Sequence, residues 1–203
     1  MPRVLSEACP LVLGSASPRR REILGSLGIP CVVFPASVDE STAPGEKPRD
    51  YLERVVGLKR GAVLARLGER PAGAVLVADT SVTLGDEIFG KPADVAEAEH
   101  MLDRLCGHEH VVFTRYSLSA PDGGALCERT VASRVWLRAA TRAERRGYAA
   151  SGEGLDKAGA YAVQGLGAFL IERIDGSYTN VVGLPACELV QDLTAGGWLE
   201  HFP

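Results

Sequence analysis

The chain lacks any cysteine arrangement that binds metal or builds a disulfide scaffold. Cys9, Cys31, Cys106, Cys127 and Cys187 are odd in number, and none stands in a CxxC pair. It also lacks a long apolar run: the longest, Ala72 to Ala78, falls far short of the roughly 20 residues that a membrane-spanning helix needs. The opening MPRVLSEACPLVLGSASPRRR places its strong positive charge after a short apolar run, the reverse of a secretory signal. A reduced cytoplasmic protein without a membrane partner is therefore expected. Stretches of Ser, Pro or Gly long enough to serve as linkers are missing, as are internal repeats, so residues 1–203 are read as a single domain. Positive charge is in short supply too. The 22 basic side chains against 26 acidic ones leave a net charge of −4, which argues against nucleic acid as a partner. An anionic ligand must find a local basic cluster.

What is present is an ordinary globular composition, 46% apolar and 24% charged, enough for a sizeable core. Leu11–Gly14 reads as a short buried strand, Pro18–Leu27 as a helix closed by Gly28, and Cys31–Val38 as a second strand. Pro48–Leu67 is the longest helical pattern, Ala74–Leu84 a strand that turns back through Ile88 and Phe89, and Asp94–Leu105 a helix. His110–Ala120 and Leu126–Leu137 flank the turn Pro121–Asp122–Gly123–Gly124 as a hairpin. Thr141 and Glu144 form a capping-box signature, and Phe169–Ile174 and Pro185–Leu193 read as a last strand and helix. This order predicts an α/β protein with a mixed sheet.

Four segments carry chemical interest. In Gly14-Ser15-Ala16-Ser17-Pro18-Arg19-Arg20-Arg21, Ser17 is placed to cap a helix that Pro18 opens. Three arginines in a first helical turn oppose the macrodipole unless an anion compensates. Backbone N–H groups, the Ser15 and Ser17 hydroxyls and an Arg fork suit phosphate; the alternative is simple solvation. Lys59 falls on the apolar stripe of its helix with Leu52, Val55, Val56 and Val63. Either its stem snorkels or its ammonium has a task, and with four lysines against eighteen arginines a retained lysine invites the second reading. Asp79-Thr80 follows five small apolar residues, as a turn or as a carboxylate at a cleft mouth, and Lys91 before Pro92 is either a surface residue or aimed at that carboxylate. Asp39-Glu40 offers a further carboxylate at the end of the second predicted strand. The last segment, Asp156-Lys157-Ala158-Gly159 with Tyr161 and Gln164-Gly165, is denser in polar groups than a connector needs, and a Gln amide suits reading a base edge. His108 and His110 form an HxH pair without further ligands nearby.

In order and spacing these segments, together with Gly176-Ser177-Tyr178 and Gly183-Leu184-Pro185, resemble those of the Maf (septum formation protein) family of nucleoside triphosphate pyrophosphatases. The resemblance implies an elongated two-lobed mixed-sheet fold like that of inosine triphosphate pyrophosphatases, with the active site in the central cleft. It implies hydrolysis of the α–β phosphoanhydride with a divalent cation, Mg²⁺ or Mn²⁺, and a homodimer. The family's proton acceptor falls on Asp79. Its branch-sorting positions fall on Arg19, Thr80 and Gln164, a set similar to the branch acting on dTTP and UTP. Gly14 and Arg60 depart from the family pattern, which commonly has Ala at both.

The mechanism expected from these residues has Asp79 activate water, with Glu40 and Asp79 as metal ligands. Arg20, Lys59 and Lys91 face phosphate charge together with Ser15 and Ser17, and Arg19, Thr80 and Gln164 frame the base beside Asp156 and Lys157. A nucleotide-responsive regulator of cell division is the alternative from another class.

Overall fold

The computed structural model describes residues 4–200. Three short or long parallel strands start the sheet: β1 (Leu11–Leu13) lies between β2 (Cys31–Val33) and β3 (Ala74–Leu84). The antiparallel strands β5 (Glu109–Ser119), β6 (Ala125–Leu137) and β7 (Ile171–Asp175) continue it beyond β3, in the order β2-β1-β3-β5-β6-β7. A seventh strand, β4 (Glu87–Phe89), folds back antiparallel on β3. The sheet is thus mixed, as the pattern of elements predicts.

Helices α1 (Pro18–Ser26) and α6 (Ala186–Ala195) cover one face of the first half of β3, where Ile23, Leu24, Leu189 and Leu193 join Leu76 and Ala78 in one core. Helix α2 (Pro48–Leu67) covers the opposite face, with Val56, Val63 and Leu67 against Val75 and Val77. A strand covered on both faces reads as an unbroken apolar run, which is why residues 74–78 show no alternation. Beyond the middle of β3 a separate core takes over. Val82 packs there with Met101, Leu102 and Leu105 of α3 (Val95–Leu105) and Tyr148 of α4 (Arg142–Ser151). The polar residues Asp79, Thr80 and Ser81 fall at the junction of the two cores.

The edge of β3 has the same division. β1 pairs with residues 74–76 and β4 with residues 82–84 on the side away from β5. Between them, among the described residues, that edge has no strand neighbour, and a cleft opens there.

Local signals act where the sequence places them. Asp94 accepts from the Glu97 amide at 2.8 Å to start α3, and Thr141 and Glu144 complete a reciprocal capping box at α4. Three expectations need correction. β2 ends at Val33 instead of Val38, because after Phe34 donates to the Leu13 carbonyl the chain meets Pro35, which has no N–H for a ladder. Asp39 and Glu40 therefore lie on an irregular segment before α2 and not at a strand end. Phe169 belongs to a 3₁₀ segment, Gly165–Leu170, and extended structure starts only at Ile171. A short helix, α5 (Tyr178–Val182), is capped by Ser177 and was not apparent from periodicity because it spans little more than one turn.

The HxH pair is parted at the start of β5, with His108 before the strand and His110 on it. His108 sits at the surface, its Nδ1 3.1 Å from the Cys106 carbonyl, whereas His110 is buried with Nε2 2.7 Å from the Tyr161 hydroxyl. Burial lowers the His110 pKa to about 4 from an ordinary 6.5. The folded chain thus binds fewer protons than the unfolded chain between those values. Stability from this group is complete above the unfolded value and falls by about 3 kcal/mol as pH drops through the folded one. Urea melts of the wild type from pH 7 to pH 4 should show this slope, and His110→Phe should flatten it; an equal slope in both contradicts a buried neutral imidazole.

Gly14 closes β1 against α2 and β3, and a Cβ there would stand 2.7 Å from both Val63 Cγ2 and Val77 Cγ1. An alanine at this position does not fit beside this pair of valines without a shift. Gly14→Ala should cost about 1–3 kcal/mol in chemical denaturation, and Val63→Ala in the same chain should recover part of it.

Candidate active site

The cleft between the two cores measures about 950 Å³ and is lined by the 14–20 turn, Glu40, Lys59, the middle of β3, Lys91 and residues 153–165. A volume of this order suits a nucleotide-sized ligand. At its floor is an ion cluster. Lys59 leaves the buried face of α2 with Nζ 2.7 Å from Asp79 Oδ1 and 2.9 Å from Glu40 Oε1, and only 6% of the residue is exposed. The ammonium does snorkel, but into the cleft and onto carboxylates instead of into water. Glu40 brings the irregular 34–47 segment over the end of this triad. Burial works against its ionisation, but the Lys59 hydrogen bond and the charges of Lys59, Lys91 and Arg20 outweigh it and hold its pKa below the ordinary value.

Tyr51, one turn into the same helix, completes the floor. It is buried, its hydroxyl donates to the Glu40 carbonyl at 3.2 Å, and burial followed by the charges of Asp79 and Glu40 raises its pKa. Sequence reasoning did not single it out. Two helical turns separate it from Lys59, a spacing that puts both on one face and was the available signal.

The 14–20 turn departs from its predicted chemistry in two ways. Ser17 has the extended backbone of an N-cap, but its hydroxyl makes no cap bond. Ser15 instead accepts from the Ser17 amide at 3.3 Å and from Arg20 Nη1 at 2.9 Å. Arg20 is buried and already committed. Its Nε donates to the Gly183 carbonyl at 2.8 Å, Nη1 also to the Ala78 carbonyl at 2.9 Å, and Nη2 to Thr80 Oγ1 at 3.1 Å. All but one of its N–H donors are used within the protein. At Ala78 it satisfies the open β3 edge that no strand reaches. Burial lowers its pKa, with Asp79 and Glu40 opposing. Thr80 is likewise engaged, 2.8 Å from Thr114 Oγ1.

The cations on the rim have more freedom. Lys91 is exposed and makes no ion pair among the described residues, while the neighbouring Gly90 carbonyl ties its loop to the Gly159 amide at 3.1 Å. Arg19 Nη1 is 3.3 Å from Asp156 Oδ2, and Lys157 bonds both Asp156 and the Glu153 carbonyl. Gln164 stands exposed on the rim with no hydrogen bond to the described residues. Glu153, which sequence reasoning passed over, reaches under Gln164 to the amides of Leu166 and Gly167.

The resulting wall chemistry is cationic groups around a carboxylate pair. Among the described residues no group of three His, Cys, Asp or Glu side chains converges. Glu40 and Asp79 each give one oxygen to Lys59 and keep another. Mg²⁺ accepts one or two carboxylates and fills the rest of its shell with water and substrate phosphate, so this donor set fits such an ion. No described helix is long and apolar enough to cross a membrane.

Comparison with known proteins gives consistent relatives. A dTTP/UTP pyrophosphatase of Geobacter metallireducens is 47% identical over 191 residues, 93% of this chain and 97% of the relative. One of Myxococcus xanthus is 47% identical over 187 residues, 92% of each chain, and one of Hahella chejuensis 45% identical over 180 residues, 89% of each. Among solved structures the Staphylococcus aureus Ham1 protein aligns over 93% of this chain and 99% of its own, at TM-score 0.43 and 14% identity, too distant to argue from. The family model for Maf-like proteins matches residues 10–195 and so takes in every wall of the cleft. With identities of this size along nearly the whole length, the chain belongs to the Maf-like protein family.

Proposed function

We propose that this chain is a nucleoside triphosphate pyrophosphatase that hydrolyses dTTP and UTP to the monophosphate and pyrophosphate, removing these nucleotides from the pool. The observation that carries the reading is the Lys59–Asp79–Glu40 triad, set in a cleft that Lys91 and the Ser15–Arg20 turn also face. The printed names of the relatives support the pyrimidine substrates. A nucleotide sensor needs only binding groups, and a carboxylate held by an ammonium at the cleft floor is more than sensing requires.

In this reading Asp79 takes the proton from a water whose oxygen attacks the α-phosphorus, as the bond from that phosphorus to the bridging oxygen breaks and pyrophosphate departs. Lys59 holds Asp79 in one orientation, so the base does not have to be ordered when substrate arrives. Glu40 and Asp79 would hold Mg²⁺ or Mn²⁺ through the carboxylate oxygens that Lys59 leaves free. When bound, the cation supplies charge neutralisation for the phosphate oxygens. Lys91 faces the leaving phosphates with an ammonium that makes no ion pair among the described residues. Ser15, Ser17 and the turn's backbone amides serve phosphate oxygens, and Arg20 contributes its charge and its remaining N–H while bracing Thr80. Arg19, Thr80 and Gln164, with Asp156 and Lys157 behind Arg19, frame the base. A homodimer is the proposed assembly, on the resemblance alone.

Asp79→Asn should lower kcat by about 10²–10⁴ while nucleotide affinity, measured by calorimetry, changes by no more than a few-fold. Turnover near the wild-type rate in that variant rejects Asp79 as the base. In ¹⁸O-water with UTP and Mg²⁺ the label should enter UMP and not the pyrophosphate. Free phosphate as the first product, or label in the pyrophosphate, overturns the bond and the phosphorus assigned here.

A further inference from the structure

Glu153 is a carboxylate in the cleft wall that the proposed chemistry does not use. Its Oε1 accepts from the Leu166 amide at 2.9 Å, and its Oε2 accepts from the Gly167 amide at 2.7 Å and from the Tyr148 hydroxyl at 2.9 Å. Tyr148, itself buried, receives the Ala162 amide on the same hydroxyl at 3.0 Å. The pair therefore grips the chain on both sides of Gln164, at residue 162 before it and at residues 166 and 167 after it. The grip is tight. A Cβ on Gly165, whose φ is +69°, would lie 2.2 Å from Glu153 Oε1, and one on Gly167 would lie 2.6 Å from the Tyr148 hydroxyl. Only glycine permits this approach. Burial opposes ionisation of Glu153, but the two amides, the Tyr148 hydroxyl and the Lys157 charge prevail and keep its pKa below the ordinary value. Lys157 also donates to the Glu153 carbonyl, which links the clamp to Asp156 and through it to Arg19.

We infer that Glu153, seated on Tyr148, is the positioning residue for base selection: it fixes the 162–167 segment so that the Gln164 amide faces the base edge of a pyrimidine nucleotide. This rests on the proposed function and adds to it a cause for the discrimination. Gln164 sits at the surface with no hydrogen-bond partner among the described residues, so its amide depends for its placement on the backbone that carries it. A carboxylate can accept from both amides and the phenol at once. A carboxamide cannot, since its nitrogen would confront an N–H.

Glu153→Gln tests this with two readouts. Steady-state kinetics with UTP and CTP should show kcat/KM for UTP falling about tenfold through KM with kcat nearly unchanged, and the preference for UTP over CTP shrinking by a similar factor. Hydrogen exchange should accelerate at the Leu166 and Gly167 amides while β3 stays protected. Tyr148→Phe, which keeps the ring in the core, should move both readouts the same way by a smaller factor. A mere loss of stability would lower kcat for the two nucleotides alike. An unaltered UTP-to-CTP ratio in a variant whose loop amides exchange faster overturns the role in selection, and unaltered exchange overturns the clamp. If the wild type releases no pyrophosphate from UTP, the proposed function falls by itself. Calorimetric affinities for UTP and CTP in wild type and Glu153→Gln then decide base selection without turnover.

Discussion

The contact on which the cleft depends is the ammonium of Lys59 between two carboxylates. It joins three parts of the chain that share no secondary structure: helix α2, the middle of β3 and the irregular segment that bears Glu40. Lys59 and Asp79 are buried and each needs the other, while Glu40 closes the triad from the exposed side. Removing one partner of a buried pair leaves an uncompensated charge at a cost of about 3–5 kcal/mol, whereas the intact pair contributes much less to net stability. The arrangement is therefore better understood as a device for holding two acids close together on one ammonium than as a device for holding the fold. Tyr51 strengthens that view, because its bond to the Glu40 carbonyl fixes the backbone of a segment that has no ladder to fix it.

The sheet provides the place for this contact. β3 exchanges one edge partner for another along its length, and the interval between β1 and β4 is where Asp79 and Thr80 sit. Open sheet edges expose backbone groups that need partners. Arg20 supplies one at Ala78 while also bonding Ser15, Thr80 and Gly183, so a single guanidinium joins α1, the β3 edge and the turn before α6. A rigid planar fork offers five donors in fixed directions, two more than an ammonium has, and here four of them are used. The division of labour among the cations follows from burial. Arg20 and Lys59 are spent on the protein's own acceptors, and Lys91 on the rim has its charge to offer to a ligand.

Much of the framework was legible in the residue order. Pro48–Leu67 and Ala74–Leu84 form over the predicted ranges, since each has a strong period or a strong apolar run with Pro or Gly at its limits. The capping box at Thr141 was equally readable, because its chemistry is confined to four consecutive residues. One failure was local, and in the other the deciding partner lay far along the chain. The second strand stopped early because an edge position and Pro35 ended its pairing. Residues 165–170 coil where Glu153 holds the Leu166 and Gly167 amides and Tyr148 holds the Ala162 amide just before them, and no local pattern around Phe169 contains that information.

By itself the sequence determined the elements, the mixed character of the sheet and the stock of charged groups, including a lysine misplaced on an apolar helix face. Those properties depend on spacing within a dozen residues, where helical and strand periods act directly. Only the tertiary structure decided which acids that lysine meets, that Arg20 is braced internally while Lys91 is not, and that Glu153 stands beneath Gln164. Charge–charge and hydrogen-bond partners are set by distance in space, and the strand neighbours that bring residues 20, 59, 79 and 153 to one cleft are chosen by packing over the whole chain.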